Sequence, residues 1–530
     1  MNGFLKKLLC RIAQPSAVHL LISIALLAYV SGCEAISETI KKPYVDEVNA
    51  PDLGGIYNEA AQYHDGTRNP VIVIPGILGS RLVDQESGKV TWGAFGGTAV
   101  NPTDPEGART VALPIEINKP LRELVDKVET VGVLDKVQIS VLGLPVEQKA
   151  YVHILGTLGV GGYRDEELGM SAVDYGKEHY TCFQFAYDWR RDNVENVQRL
   201  HEFIEEKKEY IRRVREERYG VRDLPVKFDI VAHSMGGLLA RYYVRYGNQS
   251  LPEDGSLPNL NWAGTQNVDR VVLVGTPSGG SAESLKELID GVRFAPIFPK
   301  YDAALLGTMP SIYQLFPRVR HNSLVDADTG ETIDHFDPKI WEEYGWGLLS
   351  PDQSEVLEKL LPDVKSAQLR RQIAFDHLSK CLQQARRFHA SLDRPASIPA
   401  STATTMHLIA GDAIDTDAQL SFSKTTGKLA VVEQAPGDGT VIRSSALMDE
   451  RQSDPRPWKP PIRSPISWSS VNFLFSDHLG LTNNPGFTDN VLFLLLESPR
   501  KIPVPQRYEG FAKLRSDQAI TDQFRRRQTE

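Results

Sequence analysis

The stretch Phe228-Asp229-Ile230-Val231-Ala232-His233-Ser234-Met235-Gly236-Gly237, continuing as Leu238-Leu239-Ala240-Arg241-Tyr242-Tyr243, decides how the rest of the chain is read. It is a short apolar run that breaks at Ser234 and turns at once into a helical pattern. Small residues stand two positions before and two after the serine, Ala232 and Gly236. This is the spacing of a nucleophile elbow, G-x-S-x-G with alanine in the first glycine position. A serine on so sharp a turn tolerates only small neighbours, and the turn presents its hydroxyl at the mouth of a helix. The plain alternative is a strand-to-helix turn whose serine only caps the helix.

Working outward from the elbow, the flanking segments arrange themselves around it. Upstream, Val71-Ile72-Val73-Ile74 is a continuous apolar run, as expected of a strand buried on both faces. It ends in Pro75-Gly76-Ile77-Leu78-Gly79-Ser80. In an α/β-hydrolase the loop after this early strand supplies one oxyanion-hole amide, and the residue after the nucleophile supplies the other. The expected donors are therefore the backbone N–H groups of Ile77 and Met235. Phe183–Tyr187 reads as a further strand, and 193–219 carries apolar residues at helical spacing among many charges, an amphipathic helix. Downstream come strands at 268–275, 406–410 and 471–475, separated by helical patterns, and a last helix at 488–497. The expected fold class is α/β, an α/β-hydrolase with a mostly parallel sheet and helices on both faces.

Two long segments do not belong to that alternation. Residues 81–180 are rich in Gly and Pro and read as an excursion, in which Trp92-Gly93-Ala94-Phe95 is either ordinary packing or an exposed apolar tip. Residues 281–400 are too long for a crossover and read as lid and cap. Within them 282–298 is either a mobile cover over an apolar pocket or a plain surface helix.

A serine hydroxyl needs a base within reach and an acid to orient that base, and in this fold they follow in the order Ser, Asp/Glu, His. His478 follows the last strand in Ser476-Asp477-His478-Leu479-Gly480, and alone of the 12 histidines has that context. For the acid there are two candidates. Asp438 sits between glycines in Gly437-Asp438-Gly439-Thr440-Val441, whereas Asp412 follows the strand at 406–410 directly. We favour Asp438 and expect Asp412 to bond its own turn backbone.

The chain has 530 residues, 41% of them hydrophobic, and a formal net charge of -9, with no basic tract that would mark a nucleic-acid partner. Lys6, Lys7 and Arg11 precede an apolar run from Ala17 to Val30, which stops at Val30-Ser31-Gly32-Cys33. That is an export signal, too short for a spanning helix. Small residues before Cys33 resemble a bacterial lipobox, a resemblance that implies lipid on Cys33 and, from sorting in that class with Glu34 following, an outer-membrane location in the cell envelope. The plain alternative is an ordinary signal peptide with an incidental cysteine. Of the four cysteines, Cys182 and Cys381 then remain, which is no disulfide framework.

Taken together, Val71–Ser80, Tyr187-Asp188-Trp189-Arg190, Ala232–Gly237, Thr276–Ser281, Met309–Pro317, Gly437–Val441 and His478 resemble the motifs of the lecithin:cholesterol acyltransferase family, in that family's order. The resemblance implies an α/β-hydrolase core with lid and cap, no metal or other cofactor, and a lipid ester such as a phospholipid as acyl donor. It also implies Ser234, Asp438 and His478 as the catalytic triad. The chain departs from the animal members in lacking their lid disulfide cysteines and in carrying a lipobox.

The expected organisation is a lipoprotein signal at 1–32, a polar tether at 33–68, a catalytic domain at 69–500 and a polar tail at 501–530. The expected function is a serine-dependent lipid O-acyltransferase or phospholipase, held at a membrane by its lipid anchor and passing the acyl group to a lipid alcohol or water. The alternatives are a cell-envelope carboxylesterase or lipase for small or neutral esters, and a non-catalytic lipoprotein scaffold.

Overall fold

The structure, a computed structural model, describes residues 52–498 apart from 63–66, 96–98, 135, 142–143, 150, 170, 174, 176–177, 294–298, 400 and 454–460. The expected signal segment, Cys33 and the tail at 501–530 lie outside the described residues.

Six parallel strands form the central sheet: β1 (Val71–Ile74), β2 (Cys182–Gln184), β3 (Phe228–His233), β4 (Val268–Val274), β5 (Thr405–Gly411) and β6 (Trp468–Leu474). Their order is β6-β5-β4-β3-β1-β2, and the elbow strand β3 lies inside it between β4 and β1. Every residue of β1, β3 and β4 is buried. The alternation of side chains along a strand explains why these sequences are apolar without interruption. Ile72, Ile74, Ile230, Ala232, Val271 and Leu273 join one hydrophobic cluster, while Val71, Val73, Val231, Val272 and Val274 join a second. Helices cover both faces, so neither set meets water.

The larger cluster takes in the helix Asn193–Tyr219, through Val194, Val197, Leu200, Ile204 and Ile211. Asp192 starts this helix by accepting a hydrogen bond from the Val194 N–H at 2.9 Å. Not all its charges are solvated: Lys207 and Arg215 are buried, and Arg215 donates to the Pro225 carbonyl. The smaller cluster includes Phe487 and Val491 of the helix Pro485–Leu492.

Several expectations change on contact with the structure. The strand expected at 183–187 is shorter and earlier, Cys182–Gln184. Trp92 is no exposed tip: it is 5% exposed, donates its indole N–H to the Leu78 carbonyl at 2.7 Å, and meets Trp189 edge to face. The tether expected as far as residue 68 ends in a helix, Leu53–Gln62, with Tyr57 buried and its hydroxyl donating to Asp489 at 2.7 Å. Only two of its apolar side chains are buried, too few to leave a periodic signal in the sequence. In the cap, the helix Ala282–Asp290 packs Leu285 and Leu288 fully into the main core, as a structural helix does. The hairpin Ile414–Ser423 and Lys428–Gly437 projects from the end of β5 and returns to it.

Candidate active site

Ser234 sits where β3 ends and the helix Gly236–Tyr246 begins. Its φ is 52°, in the left-handed region that costs a side-chain-bearing residue roughly 1–3 kcal/mol. The surroundings enforce that conformation. The Ser234 N–H donates to the Val274 carbonyl at 2.8 Å, and Gly237 N–H to the Ser234 carbonyl at 3.0 Å. Close approach explains the small neighbours: a Cβ on Gly236 would lie 2.4 Å from the Pro75 carbonyl oxygen, and one on Gly76 2.7 Å from the Ser234 Cβ. The loop after β1 and the elbow therefore touch, and each demands a glycine of the other.

His478 arrives from the loop after β6. Its Nε2 lies 3.0 Å from the Ser234 Oγ, and its Nδ1 lies 2.8 Å from the Asp438 Oδ2. The backbone adds a further tie, His478 N–H to the Asp438 carbonyl at 2.8 Å. Asp438 stands on a turn at the end of the hairpin, and its Oδ1 accepts from the Val441 and Thr440 amides at 2.7 and 3.0 Å. Burial by itself would raise the Asp438 carboxyl's pKa. The imidazole opposite and these hydrogen bonds outweigh it, so the carboxyl is held below its ordinary value. For His478, burial works against the charged form, but Asp438 outweighs it and raises the imidazole's pKa. Asp438 is thus a carboxylate able only to accept, so Nδ1 of His478 carries the proton and Nε2 is left to accept from the serine hydroxyl. The arrangement can deprotonate Ser234 as it attacks and hold the resulting imidazolium.

The loop after β1 is fixed from three directions. Gly79 N–H closes a turn onto the Gly76 carbonyl at 3.1 Å, with Ile77 and Leu78 at its apex. Tyr187 of the Tyr187–Arg190 box donates its hydroxyl to the Pro75 carbonyl at 2.9 Å, and Tyr151 accepts from the Gly76 N–H at 2.8 Å. Met235 begins the helix after Ser234, so its amide belongs to that helix's N-terminal group of N–H donors without an intrahelical partner. The box itself is bound inside the protein: Arg190, fully buried, grips Asp188 with two nitrogens at 3.0 and 2.8 Å. Thr276–Ser281 reaches the Asp438 turn, Ser281 Oγ donating to the Thr440 carbonyl at 2.7 Å. Met309–Pro317 joins the cap to the core through Gln314, whose amide nitrogen donates to Asp192 at 2.7 Å.

Asp412 behaves otherwise than expected. It pairs with Arg443 at 3.2 Å instead of its own turn. Reading by motif missed two side chains around the site, Tyr151 and His233. Of these, only His233 carried a signal, its place next to Ser234. Cys182 and Cys381 are buried free thiols. Among the described residues no group of three His, Cys, Asp or Glu is placed to hold a metal, and no helix is long and apolar enough to cross a membrane.

With this geometry in view, comparison with known proteins is informative. A search of curated proteins finds no match. Solved structures similar in shape include "The crystal structure of Tle4-Tli4 complex", 14% identical, covering 86% of this chain and 99% of that one at a TM-score of 0.48. A Bacillus licheniformis lipase, BlEst2 in propeptide form, is 11% identical over 83% of this chain and 52% of that one, with a TM-score of 0.27. EstA from Clostridium botulinum is 10% identical over 83% and 89%, with a TM-score of 0.28. The family model for lecithin:cholesterol acyltransferase matches residues 166–425, a stretch that contains Ser234 and stops short of Asp438 and His478. Over that stretch the chain is similar to the lecithin:cholesterol acyltransferase family, and its parallel sheet covered by helices has the α/β-hydrolase arrangement.

Proposed function

We propose that the chain is a serine-dependent enzyme that takes the acyl group of a lipid ester, such as a phospholipid, and passes it to an alcohol or to water. The observation that carries this reading is the unbroken Asp438–His478–Ser234 hydrogen-bond chain, assembled from three separate strand ends onto a strained serine. Ser234 attacks the ester carbonyl while its proton moves to His478 Nε2, and Asp438 supports the imidazolium. The Ile77 and Met235 amides stabilise the oxyanion. The proton then leaves with the alcohol of the donor, and a second alcohol or water attacks the acyl-enzyme, giving its proton to the same nitrogen, which returns it to the Ser234 oxygen as the acyl–serine bond breaks. Phe475 and Leu479, exposed on either side of His478, suit an apolar acyl chain. The lipobox-like Val30-Ser31-Gly32-Cys33 supports attachment to the outer membrane through lipid on Cys33.

The test is reaction of the purified protein with a fluorophosphonate probe, paired with mass spectrometry of phospholipid vesicles containing a long-chain alcohol. Labelling at Ser234, and release of acyl chain as free acid or new ester, are expected. Both should disappear in Ser234→Ala, a loss of roughly 10³-fold or more. Turnover retained in Ser234→Ala sinks the nucleophile assignment, and free acid alone with every acceptor makes the protein a phospholipase or lipase.

A further inference from the structure

Behind the site lies a second hydrogen-bond chain whose direction is fully determined. His233 Nε2 lies 3.1 Å from the His478 carbonyl oxygen, and a carbonyl only accepts, so Nε2 carries a proton. The imidazole is 1% exposed, and burial, with the positive charge of a protonated His478 second, pushes its pKa down to about 3. His233 is therefore neutral, its one ring proton is on Nε2, and Nδ1 has only a lone pair. The group facing Nδ1 is the Tyr151 hydroxyl at 3.1 Å, which must then donate. Tyr151 has one oxygen and one proton, and the oxygen's remaining contact is accounted for: it accepts from the Gly76 N–H at 2.8 Å.

The result is one ordered sequence: Gly76 N–H to Tyr151 O–H to His233 Nδ1, then His233 Nε2–H to the His478 carbonyl. No link admits the opposite polarity. Each end is one residue or less from a group the proposed mechanism uses. Gly76 precedes Ile77, His233 precedes Ser234, and the accepted carbonyl belongs to His478 itself. The rings are also packed, His233 against Tyr151 edge to face at 5.5 Å and against His478 at 4.9 Å.

We propose that Tyr151 and His233 are positioning residues that lock the oxyanion loop, the nucleophile elbow and the histidine loop into one register. The inference rests on the serine-enzyme reading above, and adds two side chains to it that touch no substrate. An active constellation must be held within a few tenths of an ångström, and loops are the parts most prone to drift. Here three loops from distant parts of the chain are tied together by two buried bonds and one part-buried bond.

Kinetics on a soluble chromogenic ester, with the purified chain, test this against a merely structural role. Tyr151→Phe removes one oxygen and keeps the ring, so the melting temperature should stay within a few degrees. We expect kcat to fall roughly tenfold with KM within about twofold, since alignment matters in the transition state and not in substrate binding. His233→Leu should lose on the order of 10²-fold in kcat. His233→Gln, which can still place an N–H donor towards the His478 carbonyl, should recover about tenfold of that. Unchanged kcat in both Tyr151→Phe and His233→Leu, with Ser234→Ala dead, overturns the proposal and leaves the nucleophile reading intact. A glutamine no better than leucine, or a loss confined to KM, overturns it as well. Activity surviving in Ser234→Ala would instead remove the reading on which it rests.

Discussion

Two aspartates stand close together on adjoining segments, and the molecule treats them differently. Asp412 comes directly off the central sheet at the end of β5, and it points to Arg443 on a partly exposed surface. Asp438 comes 26 residues later, after a hairpin that leaves the sheet and returns, and it is buried against His478. A bridge between Ile414 and Asp438 ties the returning end back to the point of departure. Nearness to the strand end therefore does not decide which aspartate meets the imidazole. Asp438 meets it from a turn whose amides donate to one carboxylate oxygen, leaving the other for His478.

The largest effect separating the two should be on rate. Asp438→Asn keeps the shape and an acceptor for the turn amides, but removes the charge that supports imidazolium and fixes its tautomer. A loss of about 10³- to 10⁴-fold in kcat is expected, as when other triad acids are replaced. Asp412→Asn should stay within about twofold. If Asp412→Asn is the dead variant instead, the acid has been misplaced and the hairpin is scaffolding.

The same pair should differ in pH dependence. The proposed mechanism needs neutral His478, and Asp438 raises that imidazole's pKa, so kcat/KM should fall as pH drops through a midpoint above about 6.5, the ordinary histidine value. In Asp438→Asn the burial penalty, the largest influence on this imidazole, is opposed only by the smaller effect of Asp477, and the midpoint of the residual activity should move below about 6.5. Asp412→Asn should leave the midpoint where it was. A midpoint unmoved by Asp438→Asn would mean that the limb reports some other group.

How much of this could be read from the chain follows from how far each feature reaches. β1, β3 and β4 were legible because burial on both faces makes them apolar without a break. The elbow was legible because its steric demands fall on residues two positions away. The bond between Tyr151 and His233 was not, since it joins positions 82 residues apart and the place of His233 beside Ser234 names no partner. Trp92 was ambiguous for a related reason: its partner is a carbonyl, that of Leu78, and any residue offers one. The partner of Asp412 was misread because a local Asx turn is always available on paper, whereas Arg443 became a neighbour only through the hairpin.

The smallest effect expected is on stability, and it sharpens the contrast. The Asp412–Arg443 pair has 22% and 49% of its side chains exposed, so water and salt screen it, and such pairs contribute about 0–1 kcal/mol. The Arg443 guanidinium also lies over the Phe473 ring, 4.1 Å from its centroid, a contact of about 0.5–1 kcal/mol at an exposed site. Asp412→Asn should therefore lower unfolding free energy by less than about 1 kcal/mol, and 1 M salt should erase most of the difference. Arg443→Met should cost more than Asp412→Asn, because it removes the ring contact as well as the pair. Denaturant titrations of the two single variants and the double variant measure both terms. If the two single variants cost the same and salt changes neither, the pair is not the screened surface contact its exposure implies, and Asp412 has a role beyond holding Arg443.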